Sequence, residues 1–336
     1  MEKTILLGKS LAEIESLAAR LGAPKFRARQ IMDWLDKGAS GFADMKNLPA
    51  GLRDKLGEAA AVLPCEIIKT LSSKDGNTHK LLLDFGDAEI ESVVMKTRYG
   101  NSVCVSSQAG CGMGCKFCAS TLRGFSRNLA ASEMMAQVAA AQSALGGGRV
   151  SHVVIMGGGE PLLNFENVVE FIEKLNERIS YRKITLSTCG IVPGIDKLAR
   201  WGKPINLALS LHAPDDGLRE RIMPINAKHP LREVVAACDR WQAATKRQLT
   251  FEYMVLKDTN DSVENAKQLA ALVGARDVFV NLIPWNPVAE REFSAPSGNA
   301  VHRMKDILEA AKIPCAIRFE RGADIDSACG QLRNRK

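Results

Sequence analysis

Cys111, Cys115 and Cys118 are spaced C-x3-C-x2-C within "CVSSQAGCGMGCKFCAS", the stretch from Cys104 to Ser120 that holds four of the chain's nine cysteines. Three thiolates on one short loop suit an iron–sulfur cubane, whose irons prefer thiolate ligands. Gly110, Gly112 and Gly114 let the backbone wrap closely around a bulky object. Three protein ligands for four irons leave one iron open to a small molecule. Zinc favours C-x2-C pairs with a second ligand pair elsewhere. No such pair occurs, and the five histidines (His79, His152, His212, His229, His302) are dispersed. Cys104 stands apart from the triad, while Cys65, Cys189, Cys238 and Cys315 read as small buried hydrophobes. Cys329 is flanked by Asp324 and Asp326, whose charges disfavour a thiolate.

The loop has to be held by the elements around it. "SLAEIESLAARLG" opens with Ser10 and Glu13, a capping-box pair, and stops at Gly22. "KFRARQIMDWLDKG", with Phe26, Ile31, Trp34 and Leu35 apolar, predicts a second helix, and "NLPAGLRDKLGEA" a third. Residues 1–60 therefore read as a small helical domain with basic exposed faces. "EIIKTLSS", "NTHKLLLDFGD" and "EIESVVMKTR" read as strands split by turns at Asp75-Gly76 and Gly86-Asp87, a β connector over residues 61–96. From residue 97 to 336, six apolar strands alternate with helical stretches, and "CAIRFE" offers a further strand. The fold class is α/β, with a parallel sheet covered by helices as an open barrel or a doubly wound sheet. Such folds bind ligands at the C-terminal strand ends, where "SSQAGC", "GGGEP", "STCG", "SLHAP" and "PWNP" fall.

The chain has 336 residues, 46% hydrophobic and 25% charged, an ordinary globular composition. No apolar run approaches the ~20 residues of a membrane helix, and the charged, early-amphipathic N-terminus does not read as a signal peptide. The expected compartment is the cytoplasm, where clustered cysteines are more often metal ligands or catalytic groups than disulfides. A net charge of +7 permits a polyanionic partner without requiring one. Basic groups occur at Lys25, Arg27 and Arg29, at Lys246 and Arg247, and in the terminal "RNRK".

The cysteine spacing, with Phe117 before the last cysteine, resembles the radical S-adenosylmethionine enzymes. "GFSRNL", "GEPLLN", "LSTCGIVPGIDKLA", "LSLHAPDDGLRERIMPIN", "NLIPWNP" and "RGADIDSACGQL" follow in one order, and the helical N-terminus matches too. Together they resemble the bacterial dual-specificity RNA methyltransferases that act on C2 of adenosine in 23S ribosomal RNA and in transfer RNA. The resemblance implies an open barrel of about six parallel strands. It also implies one 4Fe–4S cluster on Cys111, Cys115 and Cys118, and S-adenosylmethionine used twice. Cofactor contacts would fall at Gly159, Glu160, Ser187, Ser210, Leu211, His212 and Asn286. Cys329 would carry the methyl group, Cys104 would resolve an RNA crosslink through a transient disulfide with Cys329, and Glu91 would accept a proton. Alternation along "IESVV" by itself reads Glu91 as a solvent-facing strand residue. The implied partners are 23S ribosomal RNA before or during ribosome assembly, transfer RNA, and a flavodoxin or ferredoxin reductant; the chain is expected to be a monomer.

Two departures from the family pattern stand out. Gly158 replaces a common methionine, which removes a side chain near the expected cofactor, and the loop in "ALGGGRVSHVVIM" is short. A sister group methylates C8 of adenosine and shares both special cysteines; "GEPLLN", "IPWNP" and "ERGAD" favour the C2 group. The rival outside catalysis is an RNA-binding or redox-sensing protein in which Cys104 and Cys329 are incidental.

Overall fold

The computed structural model describes residues 3–39, 41–146, 148–318 and 321–333. Phe319 and Glu320, which end "CAIRFE" and open "ERGAD", and the last three residues of "RNRK" lie outside them. The first sixty residues form α1 (Leu11–Arg20), α2 (Phe26–Asp36) and α3 (Ala50–Ala59). The Ser10 hydroxyl accepts from the Glu13 N–H while the Glu13 carboxylate accepts from the Ser10 N–H at 2.8 Å, closing the capping box. Ile14, Leu17, Ile31, Leu35 and Leu56 are buried. Phe26 departs from expectation: it is 54% exposed, and Ala28 takes the inward place. Ala28, Ile31 and Leu35 lie three and four apart on one stripe, and Phe26, five before Ile31, falls on the far side. A short parallel pair, β1 (Thr4–Ile5) with β2 (Ala60–Ala61), ties the ends of this segment together.

The next strands, β3 (Glu66–Ser72), β4 (Thr78–Asp84) and β5 (Glu89–Thr97), are antiparallel, and β5 pairs with β6 (Gly100–Cys104). A second small pair, β7 (Gln108–Gly110) with β8 (Phe125–Asn128), brackets the cysteine loop. The parallel part continues through β9 (Val150–Ile155), β10 (Ile184–Thr188), β11 (Asn206–Ser210), β12 (Leu249–Val255), β13 (Val278–Pro284) and β14 (Cys315–Ile317). Among the described residues these make one ten-stranded sheet in the order β14-β13-β12-β11-β10-β9-β6-β5-β4-β3. Its parallel strands succeed one another in chain order. A doubly wound sheet reverses its order at a switch point. Unbroken order puts every right-handed crossover on one side and curls the sheet into an open barrel. The crossovers carry α4 (Ala131–Ala144), α5 (Phe165–Asn176), α6 (Val192–Trp201), α7 (Asp216–Ile222), α8 (Leu231–Thr245), α9 (Val263–Val273) and α10 (Gly298–Ala310). No helix among the described residues is long and apolar enough to cross a membrane.

Strand register decides which side chains meet inside. Lys80 pairs with Val93, Val93 with Cys104 and Cys104 with Val154. Further along, Ser210 pairs with Glu252 and Glu252 with Asn281. Paired residues, and residues two apart on a strand, share a face. Lys80, Glu91, Cys104, Ser187, Ser210, Glu252 and Asn281 therefore all lie on the inner face of the open barrel.

Candidate active site

The cysteine loop is clamped on three sides. The Cys111 N–H donates to the Gly124 carbonyl at 2.9 Å, Lys116 N–H to Ile222 at the end of α7, and Ala119 N–H to Gly330. The Trp285 indole donates to the Phe117 carbonyl at 3.1 Å, and Arg291 donates to the Cys118 carbonyl at 2.7 Å. Gly110 has φ +73°, and a Cβ there would stand 1.9 Å from the Gly124 oxygen, so only glycine closes the β7–β8 pair. Cys111, Cys115 and Cys118 face one cavity. The Met113 and Gly159 N–H groups point at the Cys111 sulfur, and the Ser120 N–H and hydroxyl at the Cys118 sulfur. Burial pushes all three thiols up, Cys111 to about 11. A cationic cluster supplies the solvation those thiolates lose, and N–H donors to sulfur are what cluster sites provide. Among the described residues no three His, Cys, Asp or Glu side chains converge on one point as a single ion needs. The three sulfurs instead ring a cavity, as the separate corners of a cubane require.

The glycine turn after β9 forms the next wall. Gly159 has φ +103°, and a Cβ there would meet Gln108 at 2.6 Å. The Ser107 and Gln108 N–H groups donate to the Gly158 carbonyl, and the Gln108 side-chain oxygen accepts from the Glu160 N–H at 2.9 Å. The Glu160 carboxylate accepts from Thr188 Oγ1 at 2.8 Å and from the Cys189 N–H at 2.7 Å; burial pushes its pKa up. Gly158 corrects one expectation. It faces an outer groove with Asp87 and Arg123, on the other side of the cysteine loop from the thiol cavity, so the missing methionine leaves the lining of that cavity unchanged.

The strand ends complete the thiol cavity. Ser187 Oγ and Ser210 Oγ are 3.2 Å apart. His212, at φ +56°, accepts the Met254 N–H on Nδ1 at 2.9 Å and sets its ring edge-on to Phe117. Burial pushes its pKa down to about 3 and Arg219 adds to this, so the ring is neutral. Leu211 does not line the cavity: its N–H donates to the Glu252 carbonyl and its carbonyl accepts from Arg219. Arg219, fully buried, also donates to the carbonyls of Cys189 and Ser210 and to Asn226 Oδ1, fastening β10 and β11 to α7. The Asn286 amide donates to the Cys329 carbonyl at 3.3 Å, and Asn286 lines a second cavity rather than the first.

That second cavity, of about 440 Å³, is lined by Cys104, Val93, Met95 and Thr97 on one side and by Asn281 and Leu332 on the other. Cys329, Arg318, Met156 and Gly157 belong to both cavities, so Cys329 stands in their common wall. Burial pushes Cys104 up to about 12; Cys329 adds to this and Arg318 opposes it. The aspartates flanking Cys329 shape its loop. Asp324 accepts the Lys74 N–H at 2.9 Å, and the Asp326 carbonyl accepts from Lys80 Nζ at 3.1 Å. Glu91 corrects the alternation reading: it is 2% exposed. Its carboxylate lies 3.2 Å from Lys80 Nζ and accepts the Arg333 N–H at 2.6 Å, one residue past Leu332. Sequence reasoning did not single out Glu252, Asn281, Arg318 or Arg219. For Glu252 and Asn281 the available signal was a polar residue in the middle of an apolar strand, as in "LTFEYMV" and "VFVNLIP".

Comparison with known proteins fits this geometry. Residues 105–270 match the radical SAM superfamily model, and residues 4–62 match the ribosomal RNA large subunit methyltransferase N-terminal domain. The chain is 47% identical over 330 residues to a probable dual-specificity RNA methyltransferase RlmN from Desulforamulus reducens, covering 96% of this chain and 94% of that protein. It is 44% identical over 333 residues to the Clostridium acetobutylicum protein of the same description, covering 98% and 96%. The crystal structure of a radical SAM methyltransferase from Sphaerobacter thermophilus superposes with a TM-score of 0.89 at 41% identity, over 99% of this chain and 100% of that one. The chain therefore belongs to the radical SAM superfamily and, within it, to the RlmN family of dual-specificity RNA methyltransferases.

Proposed function

We propose that the protein methylates C2 of adenosine in 23S ribosomal RNA and in transfer RNA, with Cys329 carrying the methyl group from the thiol cavity to the base. The observation that supports this is the place of Cys329 in the wall common to a cavity ringed by three thiols and a cavity lined by Cys104. C2 of adenine is an electron-poor aromatic carbon without a nucleophilic lone pair, so methyl transfer by ordinary displacement fails there. A 4Fe–4S cluster on Cys111, Cys115 and Cys118, when bound, supplies one-electron reductive cleavage of S-adenosylmethionine and so a 5′-deoxyadenosyl radical. Gly159, Glu160, Ser187, Ser210 and His212 line that cavity and would hold the cofactor, with Leu211 behind them in the backbone and Asn286 beside Cys329 at the second cavity.

The chain's own residues do the rest. The Cys329 sulfur first takes a methyl group by displacement and presents it to the base cavity. The S-methyl group would give up a hydrogen atom to the 5′-deoxyadenosyl radical, its carbon adding to C2; loss of the C2 proton and of one electron, which the cluster would take back, leaves the crosslink, and thiol exchange resolves it. Cys104 sulfur attacks Cys329 sulfur; the S–S bond forms as the S–C bond breaks. That electron pair goes to the carbon, which takes up a proton and becomes the methyl group. Glu91, on the same inner face as Cys104 and two residues before Val93 of the second cavity, accepts the C2 proton. The helical domain of residues 1–60 binds folded RNA, the connector of residues 61–96 extends the core of residues 97–336, and a flavodoxin or ferredoxin supplies the electron. The protein acts as a cytoplasmic monomer.

The test is anaerobic reaction of the cluster-loaded protein with unmodified large-subunit ribosomal RNA, in parallel with transfer RNA. Digested nucleosides are compared by mass spectrometry with 2-methyl- and 8-methyladenosine. A 2-methyladenosine signal is expected; 8-methyladenosine would move the chain to the C8 group, and neither would remove the substrate. Cys104→Ala is expected to accumulate a covalent RNA–protein adduct, seen as a retarded RNA band on denaturing gels. Absence of that band would end the resolving role.

A further inference from the structure

Glu252 is a carboxylate with one oxygen left over. It lies on the inner face of β12, 5% exposed, and lines the thiol cavity. Oε1 accepts from Asn281 Nδ2 at 3.0 Å. Oε2 is buried and accepts no hydrogen bond among the described residues. Its nearest cation, Arg318 Nη1, is 3.7 Å away, beyond hydrogen-bond range. A buried carboxylate oxygen without a donor is costly, so a fold keeps one where a ligand supplies the donor.

The neighbours narrow the donor's chemistry. Ser210 is the register partner of Glu252, and its hydroxyl is 3.2 Å from that of Ser187. Two hydroxyls and a carboxylate lie on three adjacent strands, on one face and lining one cavity. A lone ammonium would be served by the carboxylate alone. A vicinal diol, with two donors and two acceptors, matches the whole set, and carboxylates at strand ends take ribose hydroxyls in other nucleoside sites. We propose that Glu252 Oε2 accepts a hydrogen bond from the ribose hydroxyls of the S-adenosylmethionine bound in the thiol cavity, which fixes the nucleoside beside Cys329. This rests on the radical methyltransferase reading above.

The test is a binding cycle on anaerobic, cluster-loaded protein, read by equilibrium dialysis. Wild type and Glu252→Gln are each titrated with S-adenosylmethionine and with its 2′,3′-dideoxy analogue. Wild type is expected to bind the analogue about ten- to a hundred-fold more weakly, the range of a hydrogen bond to a charged group. Glu252→Gln is expected to bind S-adenosylmethionine more weakly and to lose much less on removal of the hydroxyls. Equal wild-type affinity for both ligands overturns the inference without any variant. So does a Glu252→Gln loss of the same factor for each ligand. Failure of wild type to bind S-adenosylmethionine at all removes the functional reading as well, whereas binding without coupling removes this inference alone.

Discussion

One added carbon separates two neighbouring glycines. At Gly159 a Cβ would press on Gln108 at 2.6 Å, in a backbone conformation with φ +103° that L-residues rarely adopt. At Gly158 the nearest atom, the Gln108 carbonyl oxygen, is 3.4 Å away, an ordinary contact. Gly159→Ala is therefore expected to cost about 1–3 kcal/mol in denaturant titration and to displace the Glu160 N–H from Gln108, while Gly158→Ala costs less than about 0.5 kcal/mol. Equal losses at both positions would contradict the geometry. The cysteine triad and this turn are legible in the sequence because each is contiguous: spacing alone sets three thiols on one loop. Glu252 and Arg318 are not. Their neighbours come from other strands, and a one-residue slip in any register would send them to the opposite face. The burial of Glu91 was hidden for the same reason, since Lys80 and Arg333 reach it from positions distant in the chain.

Elements meet at His212. It ends the "SLH" stretch after β11, accepts the Met254 N–H of β12, and receives Asn260 Nδ2 on its carbonyl at 2.8 Å. Its folded pKa of about 3 lies below the ordinary 6.5. Between those values the unfolded chain binds the extra proton and the folded one does not. Stability is therefore complete above about pH 6.5 and declines as pH falls toward 3, by up to about 1.4 kcal/mol per unit. Asparagine tolerates the left-handed backbone at this position. His212→Asn is thus expected to lose less stability than wild type between pH 6.5 and 4, read as the difference of denaturant midpoints. Burial raises the carboxyls of Glu160 and Glu252 as well, but both are common to the two proteins and cancel in that difference. At this scale the apolar runs marked every strand of the ten-stranded sheet but not the short pairs β1–β2 and β7–β8, and chain-order pairing was open only between barrel and doubly wound sheet. Antiparallel β3–β5 gave no sign that they would continue the parallel sheet, because the β5–β6 pairing depends on the turn at Thr97–Gly100.

At the scale of the whole molecule, the proposed function asks charge and aromatics to divide the work of gripping RNA. The chain carries +7 overall. Lys25 and Arg29 are exposed at the start of α2, and Phe26 between them carries the Arg27 guanidinium 4.7 Å from its ring centroid. A second such pair, Arg98 with Tyr99, sits at the turn between β5 and β6; Tyr99 is 74% exposed and follows Thr97 of the base cavity by two residues. Neutralised phosphates release counterions and bases stack on aromatic faces, so the two contributions separate by salt. Lys25→Glu with Arg29→Glu is expected to weaken RNA binding and to flatten the slope of log affinity against log salt by about 0.7–0.9 for each phosphate no longer neutralised. Tyr99→Ala is expected to weaken binding by about 1–3 kcal/mol with the slope unchanged. Affinities measured by filter binding across a salt series decide between them. An unchanged slope in the charge-reversed protein would take α2 out of the RNA-binding face. A slope that flattens in Tyr99→Ala would mean that the hairpin tip meets phosphate rather than a base.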